Sequence, residues 1–331
     1  MQIGRQKTSR IGLIGVPLGA FLLGLAGLGA ASWGAEPKFT SKPTMDGLSL
    51  FCGERAVATY FSADDKIARP YYAHVFTQDG VAVTRNFPPK DGEPMDHADM
   101  HPGIWLAFGD LNGFDFWRNK SRVKAIGPLA QTKGTADGFS FTVQNEYIAV
   151  LKEGEKLIAR ETCRHTWSQQ EGGLLLCLDS EFESADAKQP LVFGDQEEMG
   201  LGVRIASPLR VKDAGGVIRT SEGKRNEKEA WGQQARWCDY SGKVNGRQVG
   251  ITLMPHPGNF RTSWFHVRDY GLMVANPFGQ NAFTGKEKSR VEVKPGEKLR
   301  LRFGVWIHSG KETSIKELED AYQTYAKRES N

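Results

Sequence analysis

Leu157–Phe182 reads LIARETCRHTWSQQEGGLLLCLDSEF, two apolar or alternating runs on either side of a Gln/Glu/Gly turn. Successive side chains of a strand point to opposite faces, so Glu161, Cys163, His165 and Trp167 share one face. Runs of this length joined by a short glycine-containing turn predict a β-hairpin that turns at 169–173. Cys163 and Cys177 then fall nearly opposite each other. Two states stay open for them, a disulfide or a pair of reduced, buried thiols. His165 is open in the same way, as a cleft residue or as a satisfied buried histidine.

The same texture continues on both sides of the hairpin. Ala56–Phe61, Tyr71–Phe76, Phe139–Val143, Leu201–Ile205, Val249–Met254 and Leu299–Ile307 are short apolar or alternating runs separated by Gly, Asp, Asn and Pro. With no βα alternation and no repeat, they predict an all-β fold, a large antiparallel β-sandwich over residues 48–310. A polar lead-in occupies 36–47, and a C-terminal helix is expected within 311–331. The helix rests on a Ser314-x-x-Glu317 capping box and on Ile315, Leu318, Tyr322 and Tyr325 at helical spacing. It is expected against the edge of the sandwich, without a catalytic role.

Arg5, Lys7 and Arg10 precede the apolar run Ile11–Ala31 and a small-residue end at Ala35. That order predicts a secretory signal peptide over 1–35, of a length that would also serve as an uncleaved anchor. Its removal leaves 40 basic against 39 acidic residues, so the net charge of +4 belongs largely to the leader and no nucleic-acid partner is indicated. The expected location is exported, periplasmic or extracellular. Beyond the N-terminal segment no membrane span is expected, in keeping with a mean hydropathy of −0.45. Four cysteines in 331 residues suit an exported protein with up to two disulfides.

Chemistry-bearing residues gather in three places. Met95–Trp117, MDHADMHPGIWLAFGDLNGFDFW, carries His97 and His101 beside Asp96 and Asp99, with Trp105 following. The histidines suit acid–base work or hydroxyl recognition. With a further acid they would alternatively hold one divalent metal. Gly194–Gly200 frames Glu197 and Glu198 just before a strand, a pattern that supplies a general base. In Trp264–Tyr270, Trp264, His266, Arg268 and Tyr270 alternate with Phe265, Val267 and Asp269. The first face is too polar for a core and too aromatic for a plain surface, so it predicts the floor of an open cleft. Arg204, on the polar face of Leu201–Ala206, joins Arg261 and Arg268 as groups able to grip anions. His256 is expected to shape a loop, and His74 and His308 to be structural. No phosphate loop, dinucleotide fingerprint, nucleophile elbow or metalloprotease helix is present.

The segments RPYYAHVFTQDGVAVTRNFP, DHADMHPGIWLAFGDLNGFDFWRNK, FGDQEEMGLGVR, GITLMPHPGNFRTSWFHVRDYGLMVANPFG and LRFGVWIHSG resemble the exported bacterial family labelled PmoA, or methane oxygenase PmoA. The likeness runs from about Arg69 to Gly310. Where many members read His-Pro-His-His-Arg, this chain has His97-Ala98-Asp99-Met100-His101. The resemblance implies a galactose-mutarotase-like supersandwich, a fold that hosts sugar epimerases, hydrolases and polysaccharide lyases. The leading expectation is therefore an exported carbohydrate-active protein with a carbohydrate substrate. Trp105, Trp264 and Tyr270 would form its sugar platform, and Arg204, Arg261 and Arg268 would bind anionic or hydroxyl groups. His97, His101 and His266, with Glu197 or Glu198, would share proton transfer, with no cofactor. One alternative is a metal-dependent oxidoreductase using a divalent metal at His97 and His101, as the label implies. Another is a non-catalytic glycan-binding module.

Overall fold

The computed structural model describes residues 38–131, 134 and 138–328; the signal peptide expected at 1–35 lies outside them. Two antiparallel sheets face each other. One has nine strands, in the order Phe39–Pro43, Gly47–Cys52, Arg55–Phe61, Tyr71–Ala73, Ile104–Phe108, Met199–Arg204, Leu272–Asn276, Trp264–Arg268 and Gln233–Gln234. The other has eight, in the order Val217–Thr220, Cys238–Val244, Arg247–Pro255, Leu299–Gly310, Gly173–Ser184, Gly154–Gln170, Gly138–Leu151 and Arg122–Gln131. Leu201, Val203, Phe265 and Val267 from the first sheet share one core with Leu176, Leu178, Phe303 and Val305 from the second. The large antiparallel sandwich read from the alternation is thus the fold.

The hairpin at its centre turns on two residues, Glu171 and Gly172, with Gln170 opposite Gly173. Cys163 therefore pairs with Ser180, and Cys177 with Thr166. The offset between the two cysteines is odd, and an odd offset puts them on opposite faces. The symmetry read from the sequence is corrected, and none of the four cysteines is in a disulfide. The polar lead-in is also corrected in part. Residues Phe39–Pro43 pair with Gly47–Cys52 as an edge strand, anchored by the buried ring of Phe39.

The C-terminal helix spans Ile315–Ala326 and is closed by the capping box, with Ser314 Oγ accepting from the Glu317 amide and the Glu317 carboxylate accepting from the Ser314 amide. Leu318, Ala321, Tyr322 and Tyr325 bury against Leu175, Met254 and Trp306, on the outer face of the eight-stranded sheet rather than at its edge. Ile315 is 53% exposed. Gly304 makes the close approach possible, because a Cβ there would lie 2.8 Å from the Tyr325 ring.

Two polar groups are built into the packed layers. Asp239 is fully buried and accepts from Thr252, Ser241 and Arg219, with His308 Nε2 at 2.8 Å. Burial opposes its ionisation, but His308, Arg219 and Ser241 outweigh that and hold the carboxyl down at about 2. His165 faces the core, not a cleft. Its Nδ1 lies 2.9 Å from the Tyr72 hydroxyl beside a cavity of about 30 Å³, and burial lowers its pKa to about 3.

The nine-stranded sheet has a second apolar face, turned away from the sandwich. Tyr71, Ala73, Trp105, Ala107, Leu272 and Val274 lie on it, covered by Phe87, Met100 and Trp117 from the connecting loops. Trp105, Gly202, Val274 and His266 form one row across four strands. A Cβ at Gly202 would stand 2.7 Å from Trp105 and 2.9 Å from Trp117.

Overpacking a filled interior costs roughly 1–3 kcal/mol, so Gly202→Ala is expected to lower unfolding stability by about that much in urea titration; a stability equal to the parent's would sink this account of the two indoles. Acid should also destabilise the fold. Unfolded, His165 takes up a proton below its usual 6.5, while folded it does so only near 3; Asp239 follows between 3.8 and about 2. The unfolded chain binds more protons in both windows, so stability falls as pH drops through them. Denaturant midpoints should decline from pH 7 to pH 4, and His165→Gln should flatten that decline; an unchanged slope would contradict the burial of a neutral imidazole.

Candidate functional site

The loop that carries His97 and His101 is fastened from beneath by two buried arginines. Arg85 donates to the carbonyls of Asp96 at 2.7 Å, His97 at 3.2 Å and His101 at 2.9 Å. Arg69 donates to the carbonyls of Met100 and Trp117 and to the Asn119 side chain. Burial lowers the Arg69 pKa to about 9 and the Arg85 pKa to about 10. The His101 amide donates to the His97 carbonyl, closing one turn, and His97 itself has φ 52°. The left-handed backbone and the closed turn bring the two imidazoles face to face.

A column of rings results. Trp105 stacks on His101 with centroids 5.0 Å apart, His101 on His97 at 4.9 Å, and His97 on Tyr270 at 5.8 Å, all within 20° of parallel. The Arg204 guanidinium sits 4.7 Å from the Tyr270 ring and forms an ion pair with Asp96. The column runs from the buried indole outward to a groove of about 340 Å³, lined by Asp96, His97, Arg210, Lys212 and Tyr270 among others. That volume is at the lower end for small-molecule sites. His101 Nε2 accepts from the Trp117 indole N–H at 3.3 Å, which leaves Nδ1 buried and without a partner among the described residues. Burial, and then the charges of His97, Arg204, Arg69 and Arg85, hold His101 well below its usual pKa. It is a neutral ring at neutral pH.

A second cluster forms at the other end of the row. His266 is buried, and its Nε2 accepts from Arg268 Nε at 3.0 Å. Burial and the Arg268 charge lower its pKa to about 4. Arg268 also reaches Glu227 at 2.9 Å and Glu197 at 3.5 Å, and its guanidinium lies 5.6 Å from the Trp231 ring. Glu197 lies 3.7 Å from His266 Nε2. At about 4.8 Å per strand, three strand spacings put Trp105 and His266 roughly 14 Å apart, and two put Arg204 and Arg268 roughly 10 Å apart. Tyr270 stands between the clusters. Burial raises its pKa, while Arg204 and Arg268 from the two sides pull it down.

Several sequence expectations are corrected here. The Trp264–Arg268 face is not an open floor. Phe283, on the short helix Gln280–Thr284, covers Trp264 and His266. Trp105 is 1% and Trp264 6% exposed, so both pack the interior, and only Tyr270 of the expected platform reaches the groove. Arg261 is drawn away to Ser289 and the Pro277 carbonyl. Glu198 pairs with Arg118, so the acidic turn divides its labour. Asp195 anchors the covering helix by accepting from the Asn281 and Ala282 amides, Glu198 braces, and Glu197 alone joins the site. His101 and His266 each have one nitrogen engaged in a hydrogen bond that requires a neutral ring, so neither is a ready proton donor. His256 accepts from the Gly258 amide and shapes its loop.

The divalent-metal alternative does not fit the side chains as arranged. The stacked rings of His97 and His101 direct their nitrogens side by side rather than toward one point, and Trp117 already occupies His101 Nε2. Among the described residues no three His, Cys, Asp or Glu side chains gather as a ligand set. Arg85 and Glu227 are among the site residues that escaped the sequence. Arg85 is a single charged residue in an ordinary segment and Glu227 is one charge among several in Glu222–Glu229, and only folding brings them to the loop and to Arg268.

No curated protein matches the sequence. Among solved structures the chain is similar to a galactose mutarotase-like protein from Clostridium acetobutylicum, at 10% identity and a TM-score of 0.36 over 83% of this chain and 99% of that one. A galactose mutarotase-like protein from Lactobacillus casei matches at 11% identity and a TM-score of 0.32, over 82% and 100% of the two chains. A galactose mutarotase related enzyme from Lactobacillus acidophilus matches at 10% and 0.33, over 83% and 98%. A family model matches residues 47–323, and the chain belongs to that family, described as a family of unknown function, DUF6807.

Proposed function

We propose that the protein is an exported carbohydrate-active enzyme that seats a sugar ring in the groove beside His97 and Tyr270. The observation that carries this reading is the part-exposed ring of Tyr270, stacked on His97 and flanked by Arg204 and Arg268, the second of which holds the carboxylates of Glu227 and Glu197. An aromatic face suits the apolar side of a sugar, and fixed carboxylates suit its hydroxyls. In this scheme Glu197 transfers the proton and His97 is its partner in the groove. His266 acts as a positioning residue, because its lone pair holds Arg268 rather than a substrate proton. With a neutral sugar such a pair serves hydrolysis or epimerisation, and with a uronate it serves β-elimination. The oxidoreductase chemistry implied by the PmoA resemblance finds no matching ligand set in the loop that would have to supply it.

Positioned acid–base groups contribute about 10²- to 10⁴-fold to rate. Glu197→Gln is therefore expected to cut turnover of a saccharide substrate by that order while binding persists, and His97→Ala to weaken binding, measured by product mass spectrometry and calorimetry. Saturable binding with no product after prolonged incubation would reassign the protein as a glycan-binding module. If both variants bind and turn over like the parent, the groove is not the site.

A further inference from the structure

We infer that the sugar taken by this groove is acidic, and that Arg204 receives its carboxylate. The inference rests on the carbohydrate reading of the same groove and adds the charge of the ligand. Arg204 is 1% exposed, yet its Nε and Nη1 make no hydrogen bond among the described residues, where Nη2 is engaged by Asp96. A buried guanidinium with two idle nitrogens is costly to maintain. The side chain is held in place regardless, flat against Tyr270, with its backbone amide bonded to Gly103 and its carbonyl accepting from the Arg85 amide. Asp96 and Tyr270, its two contacts, both line the groove.

The local charge balance points the same way. Asp96 faces two buried guanidiniums, Arg204 and Arg85. Arg85 spends its hydrogen bonds on three backbone carbonyls, none of which brings it a counter-charge. Glu93, the other carboxylate near Arg85, is occupied by Asn86, the Lys90 amide and Ser207. On the rim Arg210 is paired with Asp213, which leaves Lys212 to add positive charge at the mouth. An entering carboxylate can pair Nη2 with either idle nitrogen of Arg204, the two-bond geometry that guanidinium and carboxylate favour. Asp96, 37% exposed on its loop, occupies part of that position and is the group such a ligand displaces.

The test is calorimetric titration of the full protein with D-galacturonate and D-glucuronate oligomers, with the matching neutral galactose and glucose oligomers, and with glycolate as a carboxylate that is not a sugar. Uronates are expected to bind about tenfold more tightly than their neutral counterparts, with a preference that shrinks as salt is raised. Arg204→Lys should abolish the preference. Because Arg204 is buried and its variant could fail to fold, Asp96→Asn is the second arm, and it should raise the ratio of uronate to neutral affinity. Equal binding of neutral and acidic sugars, with a ratio unmoved by Asp96→Asn, overturns the acidic-ligand inference and leaves the carbohydrate reading standing. Glycolate binding that responds to Asp96→Asn, without binding of any saccharide, overturns the sugar and keeps the carboxylate site. Binding of none of them overturns both.

Discussion

The missing side chain at Gly202 is the constraint on which the site depends. A β-sheet normally presents a side chain every second residue on each face, and two indoles cannot lie on a strand that does so. With hydrogen in place of Cβ, Trp105 and Trp117 reach the backbone of the central strand. Trp105 supplies the base of the ring column, and Trp117 fixes the tautomer of His101. Everything above the sheet on that side, from the stacked imidazoles to the Tyr270 ring, is stacked on a surface that this glycine permits.

Electrostatics then divide the labour between the two histidine groups. Burial is the largest influence on both His101 and His266, and the neighbouring arginines reinforce it, so each ring is kept neutral. A neutral imidazole accepts through one nitrogen and donates through the other. Trp117 and Arg268 have each taken the accepting nitrogen. The ionisable groups nearer the surface are others, with Glu197 beside Arg268, His97 against Tyr270 and Asp96 over Arg204. Buried neutral rings that position exposed ionisable ones form a coherent division, and it arises from depth in the fold.

The fold was legible because alternation is a local property. Leu301, Phe303 and Val305 announce a core-facing strand wherever they occur, and Ser314 with Glu317 announces a helix start. Face membership was legible for the same reason, and Arg204 and His266 do lie on the faces assigned to them. Depth was not legible. Trp264 and His266 sit on a polar-looking face, but Phe283, some 17 residues on in sequence, covers them, and no pattern within the strand records that cover. The cysteine pair failed in register: Cys163 lies opposite Ser180, three residues from Cys177, and the turn is two residues rather than five. Arg85 and Glu227 were invisible, one an isolated charge and the other one of a run that includes Arg225, Lys228 and Glu229, because a charge acquires its meaning only from what tertiary folding places against it.

The arginine clamp beneath the His97–His101 loop grips main-chain oxygens, not side chains. A loop held in that manner keeps its path whatever residues it displays, provided each tolerates the local backbone. Its displayed residues, Ala98, Asp99 and Met100 among them, are therefore free to change without moving the main chain. Such a loop is an interchangeable surface on a constant mount, whose side chains can be substituted without any change to the sandwich that supports it.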